Sequence, residues 1–125
     1  LLATPGLSGR ERLLGYWQRW IDNQCGDCND GQCLAVKLGA EVSDLSEAMR
    51  LALARGTEAI IQRLASGLDS ARADRSLVLA EPATALAARL YALWLGASLL
   101  AKINRSAAPF AMALDESVRA LQAPV

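Results

Sequence analysis

The strongest restriction on how this chain can fold lies between Arg89 and Lys102, where 12 consecutive residues carry no charge. Around that run, Leu86, Leu90, Leu93, Trp94, Leu99 and Leu100 fall on nearly every side of a helix drawn through them. The run is well short of the roughly 20 apolar residues that span a bilayer, so it reads as a buried helix and not a membrane span. A chain of 125 residues has little interior with which to cover such a helix all round, so a partner surface is implied. Glu81-Pro82 opens the helix, because proline in a first turn lacks only a donor that would go unpaired anyway, and Asn104 stops it.

The remainder also reads as helix. Ala (24) and Leu (22) far outnumber Val (5) and Ile (4), which favours helix formers over the β-branched residues of strands. An all-α domain of about five helices follows. Ser8 and Glu11 have the spacing of a capping box and start a helix over 8–23, with Leu13, Leu14, Trp17, Trp20 and Ile21 as its apolar stripe. The segment from Cys25 to Gly31 is dense in turn formers and ends it. Residues 32–42 read as a short helix, since no strand partner is on offer. Ser43 and Asp44 then cap a long helix carrying Leu45, Met49, Leu53, Ile60, Leu64 and Leu68, interrupted by Gly56, with a frayed end and surface loop over 69–76. Ser106 caps the last helix, on which Met112, Leu114, Val118 and Leu121 repeat toward Pro124.

Several function classes drop out on composition. Thirteen basic and thirteen acidic residues cancel, so no net field holds the chain on a phosphate backbone or an anionic membrane. With no histidine there is no His general base, no Ser-His or Cys-His nucleophile pair and no His-ligated metal. Most common hydrolase chemistry is therefore out, and no cofactor is expected. The chain opens Leu1-Leu2-Ala3 with neither an initiator Met nor a secretory leader, so residues 1–7 read as the remnant of a connection to something upstream.

Cys25-x-x-Cys28-x4-Cys33 is the one obvious chemical constellation. Three clustered thiols fit a disulfide framework poorly and suggest a reducing compartment, the cytoplasm. A zinc site would need a carboxylate such as Asp22, Asp27 or Asp30, or another subunit's cysteine, as its fourth ligand. A thioredoxin-type pair would want Cys25 at a helix start, whereas it follows a helix. Cys33 lies just after the Gly31 turn, where free amides at a helix start would stabilise a thiolate, although it also suits a small apolar filler beside Leu34, Val36 and Leu38. Lys102, one of only two lysines, ends the apolar helix, where an ammonium group must snorkel or find a partner. Tyr16, Trp17, Trp20, Tyr91 and Trp94 are candidates to line a small-molecule pocket, although aromatic residues at helical spacing are more often plain core.

Two blocks, Cys33 to Arg50 (CLAVKLGAEVSDLSEAMR) and Leu90 to Ser106 (LYALWLGASLLAKINRS), resemble the TetR family of bacterial repressors, and within it a group that responds to electrophiles. The resemblance covers 8–125. It implies a C-terminal sensing and dimerising domain, normally preceded by a helix-turn-helix head that binds operator DNA and is absent from this chain. It also implies a homodimer whose last two helices join their mates in a four-helix bundle, with Leu90, Leu93, Trp94, Ala97, Met112, Leu114 and Val118 as interface candidates. The resemblance to that group places its sensing cysteine on Cys33 and the lysine associated with it on Lys102. Small electrophiles or oxidants would then be the partners, and oxidation would join the Cys33 sulfur to the Lys102 nitrogen. Cys25 has a counterpart in the group, whereas Cys28 departs from the pattern and is a candidate resolving or auxiliary thiol. A reversible ligand sensor, and a cysteine-based metal or redox protein, are the alternatives.

Overall fold

A computed structural model describes residues 2, 4–25 and 46–122. Among them are four helices: α1 (Gly9–Cys25), α2 (Glu47–Ala73), α3 (Ala83–Asn104) and α4 (Ala108–Ala120). The short helix expected over 32–42, and the Ser43 and Asp44 caps, lie outside the described residues. α3 packs against both α2 and α4, while α1 crosses α2 and reaches α4.

The ends of the helices follow local chemistry. At the start of α1 the Glu11 amide donates to Ser8 Oγ (3.1 Å) and the Ser8 amide donates to Glu11 Oε1 (3.2 Å), the reciprocal pair of a capping box. Among the described residues α2 begins at Ser46, which accepts from the Met49 amide at 3.2 Å and is its N-cap. It also runs further than its polar tail suggests, through Ala73, because Leu68 and Ala71 keep a buried face while Asp69, Ser70 and Arg72 point to water.

α2 and α3 end in the same way. Arg75 (φ 64°) and Arg105 (φ 49°) occupy the left-handed region usually given to glycine, and the serine after each closes the turn, Ser76 N to Ala71 O at 3.0 Å and Ser106 N to Ala101 O at 3.1 Å. Each of these serines then serves a second helix start through its hydroxyl. Ser76 Oγ accepts from the Arg10 amide of α1 at 2.9 Å, and Ser106 Oγ accepts from the Ala108 amide of α4 at 3.1 Å.

The core is drawn from all four helices: Leu13 and Trp17 of α1, Leu64 and Leu68 of α2, Leu90 and Trp94 of α3, and Phe110 and Ala113 of α4. At 22 residues α3 is long and apolar enough to cross a membrane by length and composition, more than its 12-residue uncharged run suggested. Here one face of it, from Ala83 through Leu90 and Trp94 to Ala101, is buried against the other helices. The first half of α2 differs, since Met49 and Leu51 are exposed and its fully buried residues begin only at Leu64.

Candidate functional site

The five aromatic residues singled out by their spacing do come together, and Phe110 joins them. Trp17 and Trp94 lie face to face, ring centres 4.6 Å apart and planes 2° from parallel. Phe110 continues the stack beyond Trp94 at 6.2 Å, and Trp20 meets Tyr91 edge-on at 6.0 Å. Tyr16 packs edge-on against Trp17 at 4.9 Å. Trp17, Trp94, Tyr91 and Phe110 are buried, whereas Tyr16 and Trp20 are half-buried at the edge. Rings this large fix the approach of α1, α3 and α4 through shape as well as buried area.

Two indoles are anchored through serines that spacing alone did not single out. Trp20 Nε1 donates to Ser98 Oγ, which donates to the Trp94 carbonyl, both at 2.8 Å. Trp94 Nε1 donates to Ser117 Oγ, which donates to the Ala113 carbonyl, again both at 2.8 Å. Each hydroxyl thus has an acceptor four residues back on its own helix and a donor from an indole, so neither buried serine leaves a polar atom unused. The visible signal is a serine on an apolar helix face, Ser98 one turn after Trp94 and Ser117 one turn after Ala113. Trp17 is the exception: its buried Nε1 has no hydrogen-bond partner.

Leu90, Trp94 and Ala97 were expected at an intersubunit surface, but they are at most 4% exposed and closed inside the protomer. The reason is that Trp94 already stacks with both Trp17 and Phe110 of its own protomer. Leu93 and Leu114 are half-buried, while Met112 and Val118 are exposed. The open side of α3 instead carries Ala88, Ala92, Gly96, Leu99 and Ile103, at steps of four, four, three and four, with Leu100 beside them. Ile103 is 65% exposed, the most open of the large apolar side chains among the described residues.

Lys102 stands exposed in the last turn of α3, where its charge complements the helix C-terminus. Cys25 is the last residue of α1. Cys28 and Cys33 lie outside the described residues. Among the described residues no group of three or more His, Cys, Asp or Glu is placed to hold a metal ion.

Comparison with known proteins gives consistent results. The family profile "Tetracyclin repressor-like, C-terminal domain" matches residues 9–116. The HTH-type transcriptional repressor NemR of Escherichia coli K12 is 41% identical over 114 residues, covering 91% of this chain and 57% of that protein. The chain therefore spans a little over half the length of this curated relative. The crystal structure of E. coli NemR in its reduced form superposes with a TM-score of 0.91 at 39% identity, over 99% of this chain and 64% of that one. A putative transcriptional regulator of the TetR/AcrR family superposes with a TM-score of 0.82 at 33% identity, over 97% of this chain and 63% of that one. The relatives are named as transcriptional repressors or regulators, not as enzymes. With the all-helical fold and the family profile in agreement over nearly the whole length, this chain belongs to the tetracycline-repressor-like C-terminal domain family.

Proposed function

We propose that the chain is the regulatory and dimer-forming core of a bacterial, cytoplasmic transcriptional repressor, joined through residues 1–7 to an upstream helix-turn-helix head that binds operator DNA. The observation that carries this reading is the similarity to NemR, at 41% identity with a TM-score of 0.91 to its solved reduced form. Dimerisation is assigned to the open face of α3 together with the exposed side of α4. Small residues at Ala88, Ala92 and Gly96 allow two backbones to approach closely, and Leu99 and Ile103 supply apolar area to cover. Sedimentation of the Ile103→Glu variant checks it: a folded monomer is expected, and an undisturbed dimer places the interface elsewhere.

The finer proposal is that Cys33 senses electrophiles and oxidants. With a maleimide, the Cys33 thiolate adds to the carbon–carbon double bond, forming a thioether, and the adjacent carbon takes the proton. With hypochlorous acid, chlorine passes to the sulfur and water leaves. The Lys102 amine then displaces chloride, giving a sulfur–nitrogen bond and HCl. Modification has to favour the DNA-free arrangement, and moving a population from 1:99 to 99:1 takes about 5.5 kcal/mol. Brief substoichiometric N-ethylmaleimide at neutral pH followed by peptide mapping tests the thiol, with Cys33 expected to label ahead of Cys25 and Cys28. In the full-length protein Cys33→Ser should bind operator normally yet fail to release it, and normal release by that variant sinks the mechanism.

One observation favours a second reading, reversible binding of a small molecule within the aromatic cluster. The buried Trp17 Nε1–H lacks an acceptor, and a guest bearing one would satisfy it. A tightly held organic ligand found by native mass spectrometry, with Cys33 unmodified, would favour that reading over the covalent one.

A further inference from the structure

The first turn of α1 is unusual in how its amides are satisfied. A helix start has four N–H groups without an intrahelical partner, which fall to capping side chains or to water. Here all four are occupied: Ser8 N donates to Glu11 Oε1 at 3.2 Å, Glu11 N to Ser8 Oγ at 3.1 Å, Arg10 N to Ser76 Oγ at 2.9 Å and Gly9 N to Asp74 Oδ2 at 2.6 Å. The last two acceptors come from the turn that joins α2 to α3, more than sixty residues along the chain. That turn is itself braced, since Ser76 N donates to Asp74 Oδ1 at 2.9 Å and Ser76 Oγ donates to Ala71 O at 3.2 Å.

Backbone packing locks the same point. A Cβ placed on Gly9 would stand 2.3 Å from Ala71 Cα and 2.7 Å from Ala71 N, so the first turn of α1 rests directly on the last turns of α2. Arg10 Nε also donates to the Leu121 carbonyl beyond α4 at 2.6 Å, and Val78 N donates to Gln122 O at 3.0 Å. The chain entering α1, the turn leaving α2 and the segment leaving α4 therefore meet at one hydrogen-bonded junction.

We propose that the α2–α3 turn is a clip on α1: through Asp74 and Ser76 it fixes the direction in which the residues preceding Ser8 leave the domain, and it passes displacement of α2 to them. The clip stands on this geometry alone, whereas its use in releasing DNA rests on the repressor reading. Two kinds of motion follow from it. While the clip holds, α1 and the end of α2 move together. Once it opens, the first turn of α1 frays independently and the upstream chain is uncoupled from the core.

Residue-resolved hydrogen exchange on the 125-residue chain tests this without operator or inducer, so its failure is separable from failure of the repressor reading. Asp74→Ala should speed exchange of the Gly9 amide roughly five- to tenfold, as loss of a helix cap does, while amides around Trp17 keep their protection. Asp74→Asn, which retains an acceptor oxygen, should fall between that variant and the unchanged chain. Transmission is read by Ala73→Gly, which loosens the exposed end of α2. It should speed Gly9 exchange when the clip is intact and add nothing in the Asp74→Ala, Ser76→Ala background. Gly9 and Arg10 amides equally protected in every variant would overturn the clip. An Ala73→Gly effect that persists undiminished without Asp74 and Ser76 would overturn the transmission.

Discussion

α1 is held at two places by opposite means. At Trp17 it is held by stacked ring area against Trp94 in a site closed to water. At Gly9 and Arg10 it is held by two hydrogen bonds to a turn whose Asp74 carboxylate is exposed. Ring stacking in a closed core responds weakly to pH or salt, whereas a carboxylate at a helix start weakens when it is protonated or screened. The same helix is thus fixed in its middle and conditional at its beginning. A domain can in this way keep its fold while altering how the chain upstream of it is carried.

The largest break in that contrast is Trp94→Ala, which removes the central ring of the stack and leaves Ser117 without its donor. A loss of about 3–5 kcal/mol is expected, read from the urea midpoint. Gly9→Ala follows at about 1–3 kcal/mol, because its Cβ would meet the Ala71 backbone and not a side chain that can turn aside. The two buried indoles then sharpen the comparison within the stack. Trp94→Phe gives up the bond to Ser117 and should cost about 1–2 kcal/mol. Trp17→Phe breaks no such bond and removes an unsatisfied buried N–H, so its loss should be smaller, and an equal loss would mean that ring area alone decides both.

Acidification has the smallest effect and separates the two anchors. The Ser76 side chain first, and then the Gly9 amide, hold the Asp74 carboxyl below its usual range. A carboxylate depressed in the fold contributes fully above its unfolded pKa, and the contribution is lost as pH falls through the folded value. Protection of the Gly9 amide should therefore fall with pH through the acid range while the near-ultraviolet circular dichroism of the tryptophan stack stays unchanged. Simultaneous loss of both would show one cooperative unit where two anchors are expected.

What the sequence made legible was whatever depends on near neighbours. The Ser8 and Glu11 capping box is complete within four residues and formed as read. The start of α2 was less clear, because Ser43, Asp44 and Ser46 all offer a capping oxygen within four positions, and among the described residues Ser46 is the N-cap. The polar run 69–76 looked like a frayed end since its charged residues mask Ala71, a small residue with a buried side that only packing reveals. The apolar excess on α3 was plain, but its division was not. Periodicity shows that Leu90, Trp94 and Ala97 need cover, and it cannot say that their own protomer provides it. The clip was the least visible of all, since it joins Gly9 to Asp74 across 65 positions and its glycine is justified only by the Ala71 backbone.

The parallel Trp17 and Trp94 rings also make the domain its own optical gauge. Their transition dipoles couple at a ring separation of 4.6 Å, and Trp20 sits half-buried at the margin with its nitrogen tied to Ser98. Any slide of α1 along α3 changes the overlap of the first pair and the surroundings of the third. Rearrangement of the core is thereby written into the intrinsic fluorescence, with no label attached.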